Sequence, residues 1–303
     1  MSRRCPRAAG FTLIELVVVI VLTAIVASFM VLFLDAPMQS YFAQTRRSDL
    51  VDSANRITGA VTADVRIALP NSVRVNPAHT ALELLATAGM ARYYDLGDKG
   101  TAPPPPAGVE LTIGSTVTAP FGTLDSFGSQ TVPYHPSFLS IGNLGAPGYD
   151  AYNGAPEVMT GTGTHVTVNP NPGPPFVTGE NQVTFTGTVM TFQAAGAPAT
   201  QPSVHNAYLV SGPVSYVCNP NPGNPAAGTV MRYSGYAVSP AQPVPPVGGS
   251  SALIAHDVSA CTISLVAAPG GYAYGQLAIL RVTLASNGEA LQVFFEVATE
   301  YAE

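Results

Sequence analysis

A single carboxylate, Glu15, sits in an otherwise apolar run from Phe11 to Leu34. A carboxylate near the centre of a membrane helix costs about 2.5–3.5 kcal/mol on insertion scales. Glu15 is near one end of the run, where snorkelling lowers that cost, yet it would still gain from a cationic partner. Elsewhere the chemistry-bearing residues are sparse. Asp150, Asn153 and Glu157 offer three oxygen ligands around Gly154, a spacing that could hold Ca²⁺ loosely or form an ordinary polar turn. His79, His135, His165, His205 and His256 are scattered, and a serine triad through His256 and Asp257 requires free choice of the third member. The chain has no Gly-x-Ser-x-Gly elbow, no His-Glu-x-x-His, no Cys-x-x-Cys and no phosphate-binding glycine loop. The sequence therefore predicts no enzyme and no cofactor. Beyond the weak Ca²⁺ candidate it predicts no metal.

The apolar run must position Glu15. Its 24 residues would span about 36 Å as a helix, against a hydrocarbon core of about 30 Å. Arg3, Arg4 and Arg7 precede it with no acid among residues 1–10. Those arginines should stay cytoplasmic, which sends the C-terminal body outward. Cleaved secretory signals have a shorter apolar core followed by small residues, whereas here Pro37 follows the only tidy site, Ala36. A lipoprotein would place its cysteine after the run, and Cys5 is before it. A plain signal anchor fits the length but leaves Glu15 unaccounted for. In this topology Cys5 lies on one side of the membrane, and Cys218 and Cys261 on the other. An oxidising compartment would let that pair bridge; two unrelated buried thiols are the alternative.

The order basic leader, Gly10, Phe11, then Glu15 five residues into the apolar segment resembles the class III signal of type IV prepilins. That resemblance implies a prepilin peptidase cut between Gly10 and Phe11 and N-methylation of Phe11. The new Phe11 ammonium would pair with Glu15 of a neighbouring subunit, holding subunits at one axial offset. It also implies other major and minor pilins and the inner-membrane assembly machinery as partners. The implied location is the bacterial inner membrane, then the filament or its tip. Loss of three arginines would lower the basic count from 12 to 9 against 18 acids, a mature charge near −9. Many pilins carry a proline inside the membrane helix; this run has none before Pro37.

The body reads as β-rich. Gly (29) and Pro (28) make up nearly a fifth of the 303 residues, and only 10% are charged, which suits many turns between strands. The formal charge of −6 argues against nucleic acid as a partner. Met38, Tyr41, Phe42, Val51, Ala54, Ile57, Val61, Val65 and Ala68 fall mostly at spacings of three and four, predicting an amphipathic helix to about Leu69, stopped by Pro70. Pro37 would kink that helix or start a new one. Strands are predicted at 72–75, 80–86, 90–95, 109–113, 182–192, 207–218, 228–237, 252–265, 275–284 and 290–298, the last two around the turn Ser286-Asn287-Gly288. Residues 97–180 lack periodicity and are expected to be an irregular insertion. Tyr93-Tyr94, Tyr149 and Tyr152 would be adhesive spots or strand packing. The expected class is α+β: a long N-terminal helix, transmembrane then amphipathic, packed on antiparallel sheet, with Pro/Gly-rich loops. The expected organisation is leader 1–10, membrane and polymerisation helix 11–34, amphipathic continuation 35–69 and extracytoplasmic body 70–303.

Past the signal, Gln39 to Val75, Gly212-Pro-Val-Ser-Tyr-Val-Cys218, Ala255-His-Asp-Val-Ser-Ala-Cys261 and the final strand pair resemble the minor-pilin branch of MSHA pilus biogenesis proteins. This resemblance covers about half of the chain and implies that Cys218 and Cys261 are the family's disulfide. It also implies a subunit at or near a pilus tip that helps start assembly. Minor pseudopilins of type II secretion are the nearest alternative, and a tip adhesin using 97–180 is an alternative of another class.

Overall fold

The computed structural model describes residues 10, 12–93, 111, 116–117, 120–128, 133, 135–146, 148–153, 158–161, 164–176, 179–187, 190–191, 205–267 and 276–299. Helix α1 spans Leu13–Arg66, 54 residues. Pro37 lies inside it and starts no new helix; its ring nitrogen cannot donate to the carbonyl four residues back. The chain divides between Asp49 and Leu50 into two compact units. The first is dominated by the apolar turns of α1.

Among the described residues the second unit carries the last turns of α1 and the strands β1 (Arg74–Val75), β2 (Ala81–Arg92), β3 (Thr116–Val117), β4 (Phe121–Gly122), β5 (Phe138–Ile141), β6 (His165–Asn169), β7 (Gln182–Thr186), β8 (Met190–Thr191), β9 (Asn206–Asn219), β10 (Thr229–Ser234), β11 (Ser250–His256), β12 (Val258–Ala267), β13 (Gln276–Ser286) and β14 (Glu289–Ala298). The main antiparallel sheet runs β1-β2-β9-β10-β11, with β5 also on β9. A second sheet is β12-β13-β14, a third is β4-β7-β6, and β3 pairs β8.

Leu50, Ala54, Ile57, Val61 and Val65 form one buried stripe of α1; the helix ends at Arg66 rather than near Leu69, and buried Ala68 just beyond it bridges to Ala86. The stripe packs on Leu82, Leu84, Val214, Tyr216 and Cys218 of the main sheet and Ile263, Leu280, Val282 and Leu284 of the second. A disulfide joins Cys218 of β9 to Cys261 of β12, 43 residues apart, with Cα atoms 6.3 Å apart. It ties the two sheets under the helix. Asp257, at φ 64°, is the one residue between β11 and β12. It divides the single strand expected over 252–265 into two strands of different sheets. The hairpin at Asn287 (φ 47°) and Gly288 (φ 86°) forms as its sequence predicts, with Ser286 paired to Glu289.

Three other expectations change. The strands expected at 80–86 and 90–95 are one strand, β2, whose pairing with β9 shifts register between Ala86 and Gly89. A Cβ at Gly89 would overlap the Phe127 carbonyl, so only glycine lets that segment cross the strand. The run 182–192 splits into β7 and β8, which sit in different sheets. Residues 97–180 are not an irregular insertion where described: Phe121, Phe127, Leu139, Ile141, Val166 and Val168 bury against Val183, Ala207 and Leu209 as a second core. The strand expected at 109–113 lies outside the described residues except Leu111.

Two buried charge clusters occupy adjacent rows of the main sheet, on opposite faces. One row is Val75, Leu82, Tyr216, Arg232 and Ala252. On its helix side, Arg232 donates to both oxygens of Asp64 from α1 (Nε 2.7 Å, Nη2 3.2 Å), and the Tyr216 hydroxyl donates to Asp64 at 2.5 Å. Burial and then the Asp64 hydrogen bond push the Tyr216 phenol well up, so it stays a donor. The neighbouring row is Arg74, Glu83, Ser215, Tyr233 and Ser251. There Arg74 Nε donates to the fully buried Glu83 at 2.7 Å, and Tyr236 donates to its other oxygen at 2.8 Å.

Tyr236 belongs to a Pro-rich strap, residues 235–249, that links β10 to β11 and lies over this second face. Arg74 holds the strap through the carbonyls of Pro240 (2.7 Å) and Ser239 (2.8 Å), and Gln242 donates to Ala81 at 3.2 Å. The Arg74 guanidinium also lies 3.5 Å from the centre of the Tyr152 ring. Ala81 through Ala86 are consequently buried without a break: α1 covers one face, and the strap with Leu69, Tyr152, Val158 and Met159 covers the other.

Asp64→Ala should destabilise the body by about 3 kcal/mol, because Arg232 is left partly buried without its anion. The double variant with Arg232→Met should recover part of that loss. Urea midpoints of the detergent-solubilised chain, followed by tyrosine fluorescence, measure both. Burial is the main influence on Glu83 and raises its pKa above 4.5, while Arg74 and the Tyr236 bond pull it partly back. A raised folded-state pKa contributes stability that is full below the unfolded value and is lost as pH rises through the folded one. Glu83→Gln cannot ionise, so its stability profile should be flatter above about pH 4.5. A wild-type excess that grows with pH in that range would contradict this.

Candidate assembly segment

Thr12 precedes the first helical residue and caps α1. Its carbonyl accepts from the amides of Glu15 (3.1 Å) and Leu16 (3.2 Å), and its hydroxyl accepts from Glu15 N–H at 3.3 Å. Thr-x-x-Glu is the capping-box spacing, which the sequence reading passed over. Glu15 is therefore in the first turn, where the helix dipole also favours a carboxylate. Gly10 is exposed just before this cap; Phe11 lies outside the described residues.

Leu13–Met30 has a mean hydropathy of 2.7 and none of it is buried. Eighteen helical residues reach about 27 Å, close to the thickness of a bilayer core. Its hydroxyls are satisfied within the helix: Thr23 donates to Val19 O at 2.8 Å and Ser28 to Ala24 O at 2.8 Å. Such back-bonding lets a hydroxyl sit in lipid or against another helix without an unpaired donor. Glu15 is the one ionisable group in the span. The arrangement has one use that its chemistry supports: a long apolar face to be covered, with one anionic point to be matched.

The other chemistry-bearing residues do not converge. Asp150 Oδ1 accepts from Tyr152 N–H at 2.9 Å, and Asn153 N–H donates to the Asp150 carbonyl at 3.0 Å, so both serve a short 3-10 turn. Glu157 lies outside the described residues, and among those described no cluster of three His, Cys, Asp or Glu residues forms a metal cage. His256 and Asp257 do pair, Nδ1 to Oδ2 at 2.5 Å, at the junction between sheets. His79 instead bonds the Ile263 carbonyl at 3.0 Å and holds the β1–β2 turn to β12. The Glu83–Arg74–Tyr236 cluster lies beneath the strap, where each member is spent on another. Tyr93 and Tyr152 are buried, so they pack rather than present an adhesive surface; Tyr94 is not described.

Residues 5–31 match the prokaryotic N-terminal methylation motif. No curated protein and no solved structure matches the chain. The motif ends inside α1 and says nothing of the β-rich body. The matched segment contains Gly10, the Thr12 cap, Glu15 and the first exposed apolar turns of α1. With the α+β architecture built on its long first helix, the chain is a type IV pilin- or pseudopilin-like prepilin.

Proposed function

We propose that the chain is a minor pilin of an MSHA-like type IV pilus, an MshO-like subunit that helps start assembly at or near the tip. One observation carries the reading: a lone carboxylate, Glu15, in the first turn of an exposed apolar helix immediately after the Gly10-Phe11 junction. In this reading residues 1–10 are a leader, 11–34 the membrane and polymerisation helix, 35–69 its amphipathic continuation and 70–303 the extracytoplasmic body. Prepilin peptidase cuts between Gly10 and Phe11 and methylates the new amine. Before assembly the apolar helix anchors the subunit in the inner membrane. Two opposite charges are costly apart in an apolar bundle and tolerable together, so the Phe11 ammonium of one subunit seeks the Glu15 carboxylate of another.

The finer assignment is supported by the sequence around Gln39–Val75 and both cysteines, and by the disulfide joining those cysteines. Pilin-like subunits act by assembling rather than by catalysis, and the dispersed histidines agree with such a role. A GspJ-like minor pseudopilin of type II secretion shares the same leader and helix; the loss caused by deletion separates the two.

Gly10→Val should leave the ten-residue leader attached, seen as an uncleaved N-terminus by mass spectrometry. Glu15→Ala should be cleaved normally but should cut surface pili as sharply as gene deletion does. Normal piliation in the Glu15→Ala strain would sink the proposal. Intact pili with lost protein secretion after deletion would move the chain to the secretion system.

A further inference from the structure

Just beyond the apolar span, α1 carries three large apolar side chains that no described residue covers. Met38 is 54% exposed, Tyr41 67% and Phe42 51%. They fall at i, i+3 and i+4, so they share one side of the helix. The Tyr41 and Phe42 rings meet edge to face with centroids 5.9 Å apart, which makes one aromatic surface. Ser40, Ala43 and Arg47 fall at i, i+3 and i+7 on the opposite side, which is polar apart from one methyl group. A helix buried in the middle of a bundle is apolar all round. This segment is built for an apolar neighbour on one side and water on the other.

We propose that this side of α1 lies on the headgroup layer of the outer leaflet of the inner membrane, so that Met38, Tyr41 and Phe42 fix the direction in which the anchored subunit tilts. The apolar run from Phe11 to Leu34 is about 6 Å longer than a hydrocarbon core of about 30 Å. A helix too long for its bilayer tilts, and interfacial anchors choose the direction. α1 runs on through Pro37 without a break, so the height of the aromatic side follows from the rise of the helix. Tyr41 is seven residues past Leu34, about 10 Å along the axis. Its side chain leans back toward the N-terminus, and the underside of a tilted helix is lowered further. That brings the ring down to the headgroup layer, which is about 5–7 Å deep on each side of the core. A tyrosine suits this level, because its ring is apolar and its hydroxyl is polar. Ser40 and Arg47 then face water on the upper side. Lipid is the occupant because it surrounds every anchored subunit at this height, whether or not another subunit is near. The inference rests on the inner-membrane anchoring of the proposed function.

The chain has no tryptophan, so a single introduced indole reports its own surroundings. The full-length chain carrying Tyr41→Trp, Ser40→Trp or Leu22→Trp is reconstituted at high dilution, so that occupied vesicles hold one chain each. The vesicles are phosphatidylethanolamine and phosphatidylglycerol with a nitroxide either on the headgroup or deep in the acyl chain. All three positions are exposed, so the fold tolerates each substitution. Tyr41→Trp should be quenched several-fold more by the headgroup nitroxide than by the deep one, and several-fold more than Ser40→Trp at nearly the same height. Leu22→Trp, at the centre of the run, should show the reverse depth order. Equal quenching at residues 40 and 41, stronger deep quenching at 41, or an unquenched, water-exposed Tyr41→Trp would each overturn the proposal. Burial of that indole only at higher chain density would then identify a second copy as the occupant. Leu22→Trp quenched by neither probe rejects the anchored reading, whereas a quenched Leu22→Trp beside an unquenched Tyr41→Trp rejects the tilt alone.

Discussion

The body depends on burying charge on both sides of one sheet. Tyr216 and Glu83 stand in adjacent rows, pointing to opposite faces; Tyr216 shares Asp64 with Arg232 of β10, and Glu83 accepts from Arg74 of β1. Asp64 brings the helix to one face and Tyr236 brings the strap to the other. A buried ion pair adds little net stability over an apolar pair of the same shape, but a mispaired one is costly. These clusters therefore act as selectors. A slip of β2 against β9 by one residue would send Glu83 to the helix face and Leu82 beneath the strap, and Arg74 would lose its anion.

This arrangement explains why a chain so rich in proline has an ordered body. The strap carries Pro240, Pro243, Pro245 and Pro246, which restrict the unfolded chain and so reduce the entropy lost on closing the loop. Its polar groups are the ones that hold it down, while Val238 packs near Tyr152. The second core, around Phe121 and Val168, depends in turn on the register shift near Gly89 and Gly212, which bends the long β2–β9 pair.

The sequence made the helix and its stripe legible because Ile57, Val61 and Val65 repeat at one period without interruption. The final hairpin was legible because Asn287-Gly288 has few conformational choices. Glu15 stood out as the one charge in the 24-residue run from Phe11 to Leu34, but its service to the Thr12 cap was obscured by the stronger pull of its charge. The ion pairs were not legible: Asp64 and Arg232 are 168 residues apart, and nothing local distinguishes them from solvated charges. Asp257 was missed because a single left-handed residue leaves no mark on an alternating pattern. The core within 97–180 was missed because its strands are short, so period-two alternation never runs long enough to register.

The disulfide has a further consequence when the protein is pulled rather than heated. Between Cys218 and Cys261 lie β10, the strap and β11, with a sequence separation of 43. Fully drawn out, that many residues would yield about 140 Å of chain. The covalent link carries tension directly from β9 to β12, so this length is never released. Any load passing along the chain between these sheets is transmitted at fixed extension, and the hinge at Asp257 is spared it.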